Sequence, residues 1–151
     1  MSAKPREYMP PSAREDWATP PEVFGPLHEE FCFTLDVCAQ AHNTKCPRFI
    51  SPEENGLLQP WEGAACWMNP PYGRVLKDWT EKAHREAHLG ATVVALVPAR
   101  TDTRWFHEHV LGHAEVRFVK GRIKFVGAEH GAPFPCINIV WRPGHHEGAA
   151  T

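Results

Sequence analysis

One apolar stretch constrains the fold of this chain more than any other feature. Residues 91–97 read Ala-Thr-Val-Val-Ala-Leu-Val and are rich in β-branched side chains. A strand with one solvent-exposed face alternates apolar and polar residues, whereas a strand buried on both faces is apolar almost throughout. The stretch therefore predicts a central strand of a mostly parallel sheet, with helices packed on both sides.

The flanking segments predict the other elements of such a fold. Thr19, two prolines and Glu22 predict the start of a helix, with Thr19 as the N-cap and Glu22 closing a capping box. Helical spacing predicts a second helix over 74–89, ended by Gly90, and a short third one around 105–110. Further strands are predicted over 33–39, 66–68, 115–119, 123–126 and 136–141. This order predicts an α/β fold of three layers, with a mostly parallel central sheet and an antiparallel C-terminal hairpin.

Length and composition fit a single domain. The chain has 151 residues, of which 42% are hydrophobic and 23% charged, close to the average of soluble globular proteins. We expect one domain over 16–142, a flexible N-terminal arm over 1–15 and a flexible tail over 143–151. The apolar runs are too short to span a membrane and no secretory signal is recognisable, so we expect a cytoplasmic protein.

Cysteines and charges leave two questions open. The five cysteines include no closely spaced pair, which agrees with a reducing compartment. Cys38, His42 and Cys46 would suit a zinc ion if helical, but we favour buried, inert thiols and assign no metal. The net charge is −2, yet the segment 100–124 holds six basic residues against three acidic ones. That segment indicates either a nucleic-acid partner or an ordinary solvated face.

The motif with the clearest chemistry is Asn69-Pro70-Pro71-Tyr72, which lies between the strand 66–68 and the helix 74–89. Ligands of open α/β sheets bind at the carboxyl ends of strands, so the motif lies where function is expected. The prolines stiffen the backbone, and the Asn69 amide oxygen and a backbone carbonyl form two neighbouring acceptors. Two acceptors suit an exocyclic NH2 group, and the Tyr72 ring can stack on a base. The alternative interpretation is a plain turn.

These residues resemble a known family. Asn69-Pro70-Pro71-Tyr72 resembles motif IV of the S-adenosylmethionine-dependent amino methyltransferases that modify adenine N6, and Thr19-Pro20-Pro21-Glu22-Val23 resembles their motif X. The ordered set over roughly 16–141 resembles the small phage-type DNA N6-adenine methyltransferases, the phage Dam family. Its other members are Trp17, Leu35-Asp36-Val37-Cys38-Ala39, Gly56-Leu57 with Trp61, the segment 96–103 with Trp105-Phe106, and Gly121-Arg122-Ile123-Lys124-Phe125.

The resemblance implies a trimmed Rossmann-like methyltransferase fold, S-adenosylmethionine as cofactor and DNA as partner, without a membrane. It also implies the cytoplasm of a bacterium or of a phage-infected host. Asn69 and Pro70 would accept the two N6–H bonds, and Tyr72 would stack on an adenine that is flipped out or single-stranded. Thr19 would bind the methionine carboxylate, and Asp36 the methionine amino group or a water next to it.

The complete implied site has three sets of residues. The implied catalytic set is Asn69, Pro70, Pro71 and Tyr72. The implied cofactor-binding set is Trp17, Thr19, Pro20, Asp36, Cys38, Ala39, Asn55, Gly56 and Leu57. The implied substrate-binding set is Arg100, Trp105, Arg122, Lys124 and Phe125. In this last set the basic residues would meet phosphate, and Phe125 or Trp105 would cover the second face of the base.

Two departures from the methyltransferase pattern stand out. The turn after Asp36 has no glycine-rich motif, and only 32 residues (37–68) separate Asp36 from Asn69. That spacing is too short for two complete βα units, so we expect a trimmed sheet or very short strands, with the target sequence read by loops. Three other functions stay open: an RNA-base methyltransferase, a protein glutamine N5-methyltransferase with the same Asn-Pro-Pro-Tyr motif, and an inactive DNA-binding module.

Overall fold

The computed structural model describes residues 18–144. Their helices and strands are α1 Pro21–Phe31, β1 Leu35–Asp36, β2 Arg48–Phe49, β3 Ala65–Met68, α2 Leu76–His88, β4 Thr92–Pro98, α3 Arg104–His109, β5 Glu115–Phe118 and β6 Cys136–Trp141. Among the described helices, none has the length and apolar character to cross a membrane. The predicted arm over 1–15 and the tail from residue 145 lie outside the described residues, so their predicted flexibility stays a prediction.

The strands form one six-stranded sheet in the order β2-β1-β3-β4-β6-β5. The first four strands in this order are parallel, and β6 is antiparallel to both β4 and β5. The predicted α/β class, with a mostly parallel sheet and an antiparallel C-terminal pair, is confirmed. No helix connects β1 to β2 through 37–47, so the sheet is trimmed where the short spacing between Asp36 and Asn69 indicated.

The central strand β4 shows why the stretch 91–97 is apolar. Val93 and Val97 are buried in a core that includes α2 and α3, whereas Val94 and Leu96 are buried in a second core that includes Leu27 of α1. Successive side chains of a strand point to opposite faces, so both faces of β4 need apolar residues. The three predicted layers are present.

An irregular segment, 119–135, helps α1 to cover the second core. Its Ile123 and Phe125 are buried, and Ala132 N–H donates to the Ile123 carbonyl oxygen at 2.8 Å. The predicted strand over 123–126 is wrong, because β6 already has β4 and β5 as its two neighbours and offers no free edge. Residues 122–125 still alternate between exposed and buried, although they belong to no strand of the described chain.

Two other local features differ from prediction. The N-cap of α1 is Pro20, with no side-chain cap hydrogen bond, so the predicted capping box is wrong. The Thr19 side chain is fully buried, and its hydroxyl accepts from the side-chain amide of Asn69, directly after β3, instead of from the helix backbone. The sequence does not predict β2, because a strand of two residues, Arg48 and Phe49, is too short to show a periodic pattern.

Candidate active site

A cleft of about 1210 Å³ opens at one edge of the sheet. β1, β3 and β4 are parallel, so their carboxyl ends meet at this edge. The chain leaves β1 for β2 on one side and returns to β3 on the other, and such a switch point is where open α/β sheets bind ligands. Typical small-molecule pockets measure roughly 300–1,000 Å³. The cleft therefore has room for a cofactor together with a nucleotide.

The Asn69 amide is held from both ends. Asn69 directly follows β3 and lines the cleft. Its Nδ2 donates to Thr19 Oγ1 at 3.2 Å, and its Oδ1 accepts from the Tyr72 hydroxyl at 2.8 Å. The Tyr72 hydroxyl also lies 3.1 Å from the carbonyl oxygen of Leu96 on β4. A plain turn needs no such support, so the geometry favours an amide that takes part in binding.

Aromatic rings extend the wall beside Asn69. Phe134 lines the cleft and meets the Tyr72 ring edge-on, with centroids 5.7 Å apart and planes at 84°. The Arg100 guanidinium lies over the Phe134 ring at 5.8 Å. Phe125 contacts Tyr72 from the core at 6.4 Å and is only 1% exposed. Burial raises the pKa of the Tyr72 phenol well above its usual value, so it remains a protonated donor at neutral pH.

Asp36 ends β1 as a buried carboxylate. Its Oδ1 accepts from the backbone N–H of Cys38 at 3.3 Å and its Oδ2 from that of Lys45 at 2.9 Å. Desolvation raises the pKa of this carboxyl to about 6, although the two N–H donors oppose the shift. The carboxylate thus organises the loop after β1. It also carries a poorly solvated charge at the cleft wall, which a cationic ligand would stabilise.

Lys45 connects this loop to the residue before α1. Its Nζ donates to the Thr19 carbonyl oxygen at 2.8 Å and lies 5.6 Å from the centre of the Phe24 ring. Lys45 lines the cleft, where the other basic side chains are Arg74 and Arg100. A single acidic side chain, Asp36, faces these three cations in the described lining. The cleft therefore suits a ligand with one cationic group and several anionic ones.

The wall next to β1 depends on a close approach at Gly56. A Cβ at this position would clash with the Val37 carbonyl oxygen and lie 2.9 Å from the Trp79 ring. Asn55, with a φ of 65°, turns the chain, and its Oδ1 accepts from Leu57 N–H at 3.0 Å. Glycine at residue 56 is therefore required for packing, whatever the segment binds.

The thiols near the cleft are not ionised at neutral pH. Burial raises the pKa of Cys38 to about 12 and that of Cys46 to about 11. Across residues 18–144, no group of three or more potential ligands is placed to hold a metal ion. Cys38, His42 and Cys46 do not form such a group.

A model of the DNA N-6-adenine-methyltransferase (Dam) family matches residues 7–139 of the chain. The chain belongs to this family. It is 38% identical over 123 residues to the DNA N-6-adenine-methyltransferase of Haemophilus phage HP1, a match that covers 80% of this chain and 71% of the relative. It is 30% identical over 139 residues to the enzyme of the same description from Escherichia phage T1, with 81% and 58% covered. The phage Dam resemblance is confirmed.

The cleft brings together most residues that the Dam resemblance implies for the site. The implied residues that line it are Thr19, Asp36, Cys38, Ala39, Asn55, Gly56, Leu57, Asn69, Pro70, Pro71, Tyr72, Arg100 and Trp105. Pro20 and Phe125 do not line it, and Trp17 lies outside the described residues. Arg122 and Lys124 are exposed on the segment 119–135, away from the lining. Their predicted contact with phosphate would therefore lie outside the cleft and stays a prediction.

Two lining residues escape sequence reasoning about a Dam site. Lys45 lies in an irregular stretch without a motif, nine residues after the carboxylate that holds its backbone. Phe134 lies between two prolines, far along the chain from the Tyr72 ring that it contacts. The only local signal for Phe134 is an aromatic residue in a stiff proline-flanked segment. Their roles depend on tertiary contacts, which no short pattern encodes.

Proposed function

We propose that this chain transfers a methyl group from S-adenosylmethionine to N6 of adenine in DNA. The observation that carries the proposal is the Asn69 amide, held at the end of β3 in a chain of the DNA N-6-adenine-methyltransferase family. Asp36, at the end of the neighbouring strand β1, lines the same cleft. An acceptor for an exocyclic amine thus lies beside a carboxylate suited to a cationic cofactor.

The residues near β1 fit S-adenosylmethionine, which supplies an electrophilic methyl group on a sulfonium. Asp36 would bind the methionine ammonium, whose charge offsets the desolvation of the buried carboxylate. Lys45, with its ammonium at the cleft wall, would bind the methionine carboxylate. The segment 55–57 and the buried Ile50 would enclose the adenosine.

The residues after β3 fit an adenine base. Asn69 Oδ1 and the Pro70 carbonyl oxygen would accept the two N6–H bonds and aim the nitrogen lone pair at the methyl group. The Tyr72 ring would stack on one face of the base, and Phe134, which meets that ring edge-on, would form an adjoining wall of the pocket. A base in a duplex cannot reach the cleft, so it must be flipped out or come from a single strand.

This arrangement needs no general base before transfer. The methyl group is already activated in the cofactor, so the residues of the cleft mainly position the two reactants and exclude water. The amine loses its proton after the transfer. The protonated thiol of Cys38 does not compete for the methyl group, because the thiolate is the nucleophilic form.

The cleft favours a nucleobase over a glutamine side chain. A glutamine amide also has an NH2 group, but it has no ring to stack on the aromatic side chains that line the cleft. The Arg100 guanidinium, which lies over the Phe134 ring, would contact a phosphate or a base. RNA bases would use the same rings, so DNA and RNA are compared directly in the test.

Isotope transfer tests the proposal. The purified chain is incubated with S-adenosylmethionine labelled in the methyl group and with duplex DNA, single-stranded DNA, RNA or a protein extract. We expect label in DNA, recovered after digestion as N6-methyldeoxyadenosine, and a rise in Tm with cofactor alone. Label confined to RNA or protein would contradict the DNA assignment. Cofactor binding without transfer to any substrate would indicate the inactive binding module.

A further inference from the structure

We infer that Thr19 is a positioning residue, which fixes the orientation of the Asn69 amide instead of binding the cofactor carboxylate. The inference rests on the proposed function, because it moves Thr19 to the adenine side of the same cleft. The Thr19 side chain is fully buried, and its Oγ1 lies 3.2 Å from Asn69 Nδ2. Lys45 lines the cleft and would bind the methionine carboxylate of the cofactor in place of Thr19.

An amide that accepts from adenine N6 must be held in one orientation. The oxygen and nitrogen of an asparagine amide have nearly the same shape, and a 180° rotation exchanges the acceptor for a donor. A donor facing the N6 amine would repel it. The catalytic role of Asn69 therefore depends on partners that distinguish Oδ1 from Nδ2.

The Tyr72 hydroxyl alone does not supply this distinction. Its single proton lies within reach of two acceptors, Asn69 Oδ1 at 2.8 Å and the Leu96 carbonyl oxygen at 3.1 Å. When the proton points to Leu96, the phenol oxygen can accept from a rotated amide. In the structure, Thr19 Oγ1 at the other end of the amide accepts from Nδ2, so the hydroxyls of Thr19 and Tyr72 together hold the orientation that keeps Oδ1 available to the base.

The position of Thr19 is itself set by contacts from two other segments. Its carbonyl oxygen accepts from Lys45 Nζ at 2.8 Å, and the carbonyl oxygen of the preceding Ala18 accepts from Val126 N–H at 3.0 Å. Lys45 is in turn bonded to Asp36 through its backbone N–H. The hydroxyl that orients Asn69 thus belongs to a backbone tied to the cofactor side of the cleft.

Three threonine variants test the inference. Thr19→Val removes the hydroxyl, Thr19→Ser keeps it, and Thr80→Val makes the same change at a buried threonine of α2 that lies outside the cleft. We expect Thr19→Val to lower kcat about tenfold, the rate equivalent of one neutral hydrogen bond, with the Kd for S-adenosylmethionine changed less than about twofold. Thr19→Ser should restore most of the rate. Thr80→Val should lower stability but leave kcat unchanged.

If Thr19→Val raises the Kd for the cofactor and leaves kcat unchanged, the inference is overturned, and Thr19 is instead assigned to binding of the cofactor carboxylate.

A second measurement on the unsubstituted chain needs neither activity nor a folded variant. With asparagine labelled in the side-chain amide, NMR resolves the four asparagines. Slow exchange of the Asn69 Nδ2 protons with solvent supports the bond to Thr19, and exchange as fast as in a free asparagine refutes it. A chain that shows this protection but methylates no DNA would contradict the proposed function alone.

Discussion

At the residue scale, the proposed chemistry depends on two oxygen-bearing side chains at the ends of neighbouring parallel strands. Asp36 ends β1, and Asn69 follows β3. The first is buried with a pKa raised to about 6, and the second is neutral and bonded at both ends of its amide. One suits a cation and the other an amine, so single substitutions should affect cofactor binding and methyl transfer separately.

Replacement of Asn69 tests the methyl transfer step. We expect Asn69→Ala to reduce the rate at least about 100-fold, because a positioned hydrogen bond that matters in the transition state has an effect of this order. The Kd for S-adenosylmethionine should change far less, as measured by calorimetry. Gln59→Ala removes an amide that bonds to the Glu54 carbonyl oxygen outside the cleft and should keep the normal rate. A fully active Asn69→Ala variant would show that Asn69-Pro70-Pro71-Tyr72 is a stiff loop without a role in methyl transfer.

Cofactor binding should depend on pH through Asp36. A carboxyl whose folded pKa is about 6, above its unfolded value near 3.9, stabilises the cofactor-free fold at low pH and loses that contribution as pH rises toward 6. Binding of an ammonium requires the ionised form. Affinity for S-adenosylmethionine should therefore fall up to tenfold per pH unit below about pH 6, with little change above it.

Calorimetry from pH 5 to pH 8 measures this dependence. The groups that interact with the carboxylate are the backbone N–H groups of Cys38 and Lys45, the Lys45 ammonium, the Cys46 thiol with a pKa of about 11, and the Cys38 and Cys66 thiols with pKa values of about 12. The Cys46 thiol is not expected to titrate in this range. Asp36→Asn should bind more weakly and with a flat pH profile. Equal affinity at pH 5 and pH 7 in the unsubstituted chain would count against a contact between Asp36 and the ammonium.

At the element scale, α2 is joined to the cleft wall through Glu86, whose buried ion pair within the helix nothing in the sequence singles out. Lys82 Nζ and Glu86 Oε2 are 2.8 Å apart and buried, and Glu86 Oε1 accepts from Trp61 N–H at 3.2 Å. Trp61 Nε1 in turn donates to the Gly56 carbonyl oxygen at 3.0 Å. The helix thereby supports the segment that the proposal places next to the cofactor.

Removal of one partner of this buried pair should be costly. We expect Lys82→Met or Glu86→Ala to lower the free energy of unfolding by about 3–5 kcal/mol, because each substitution leaves the other member of the pair as an uncompensated buried charge. The pair Glu81–Arg85 has the same i,i+4 spacing on α2 but is about half exposed. Glu81→Ala should cost at most about 0.5 kcal/mol. Urea denaturation checks both, and equal losses would show that burial of the Lys82–Glu86 pair is unimportant.

At the scale of the whole molecule, the segment 119–135 gives the chain a basic face outside the cleft. Arg122 and Lys124 are exposed between the buried Ile123 and Phe125. Arg122 donates to the Ala132 carbonyl oxygen at 3.2 Å, which fixes its stem within the segment. A nucleotide that enters the cleft has neighbouring phosphates, and we propose that these two cations contact them.

The salt dependence of DNA binding tests this face. Replacement of both Arg122 and Lys124 by alanine should reduce the slope of log K against log salt by about 1.8, since each lost phosphate contact removes about 0.9. Arg48→Ala is the control, because this cation pairs with Glu62 at 3.3 Å on the edge strand β2, at the opposite end of the sheet from β5. An unchanged slope in the double variant would make Arg122 and Lys124 ordinary solvated residues.

Local patterns determined the architecture and the location of the motif. An apolar stretch at 91–97 requires cover on both faces of a strand, and apolar residues at helical spacing before Gly90 require a helix, so α2 and β4 follow from short segments alone. Asn69-Pro70-Pro71-Tyr72 interrupts the chain between a strand and a helix, which places it at the carboxyl edge of a parallel sheet. Each of these inferences depends on residues within one or two elements.

Only the tertiary structure decided which side chains meet. Thr19 has the local surroundings of a helix cap, yet its hydroxyl bonds to Asn69, 50 residues later. Lys45 and Phe134 reach the cleft through Asp36 and Tyr72, and the segment 123–126 alternates like a strand although both sides of β6 are occupied. The physical reason is the same in every case. A polar or aromatic side chain contacts the groups that packing brings within reach. The path of the whole chain determines which groups these are, and the side chain's neighbours in sequence do not.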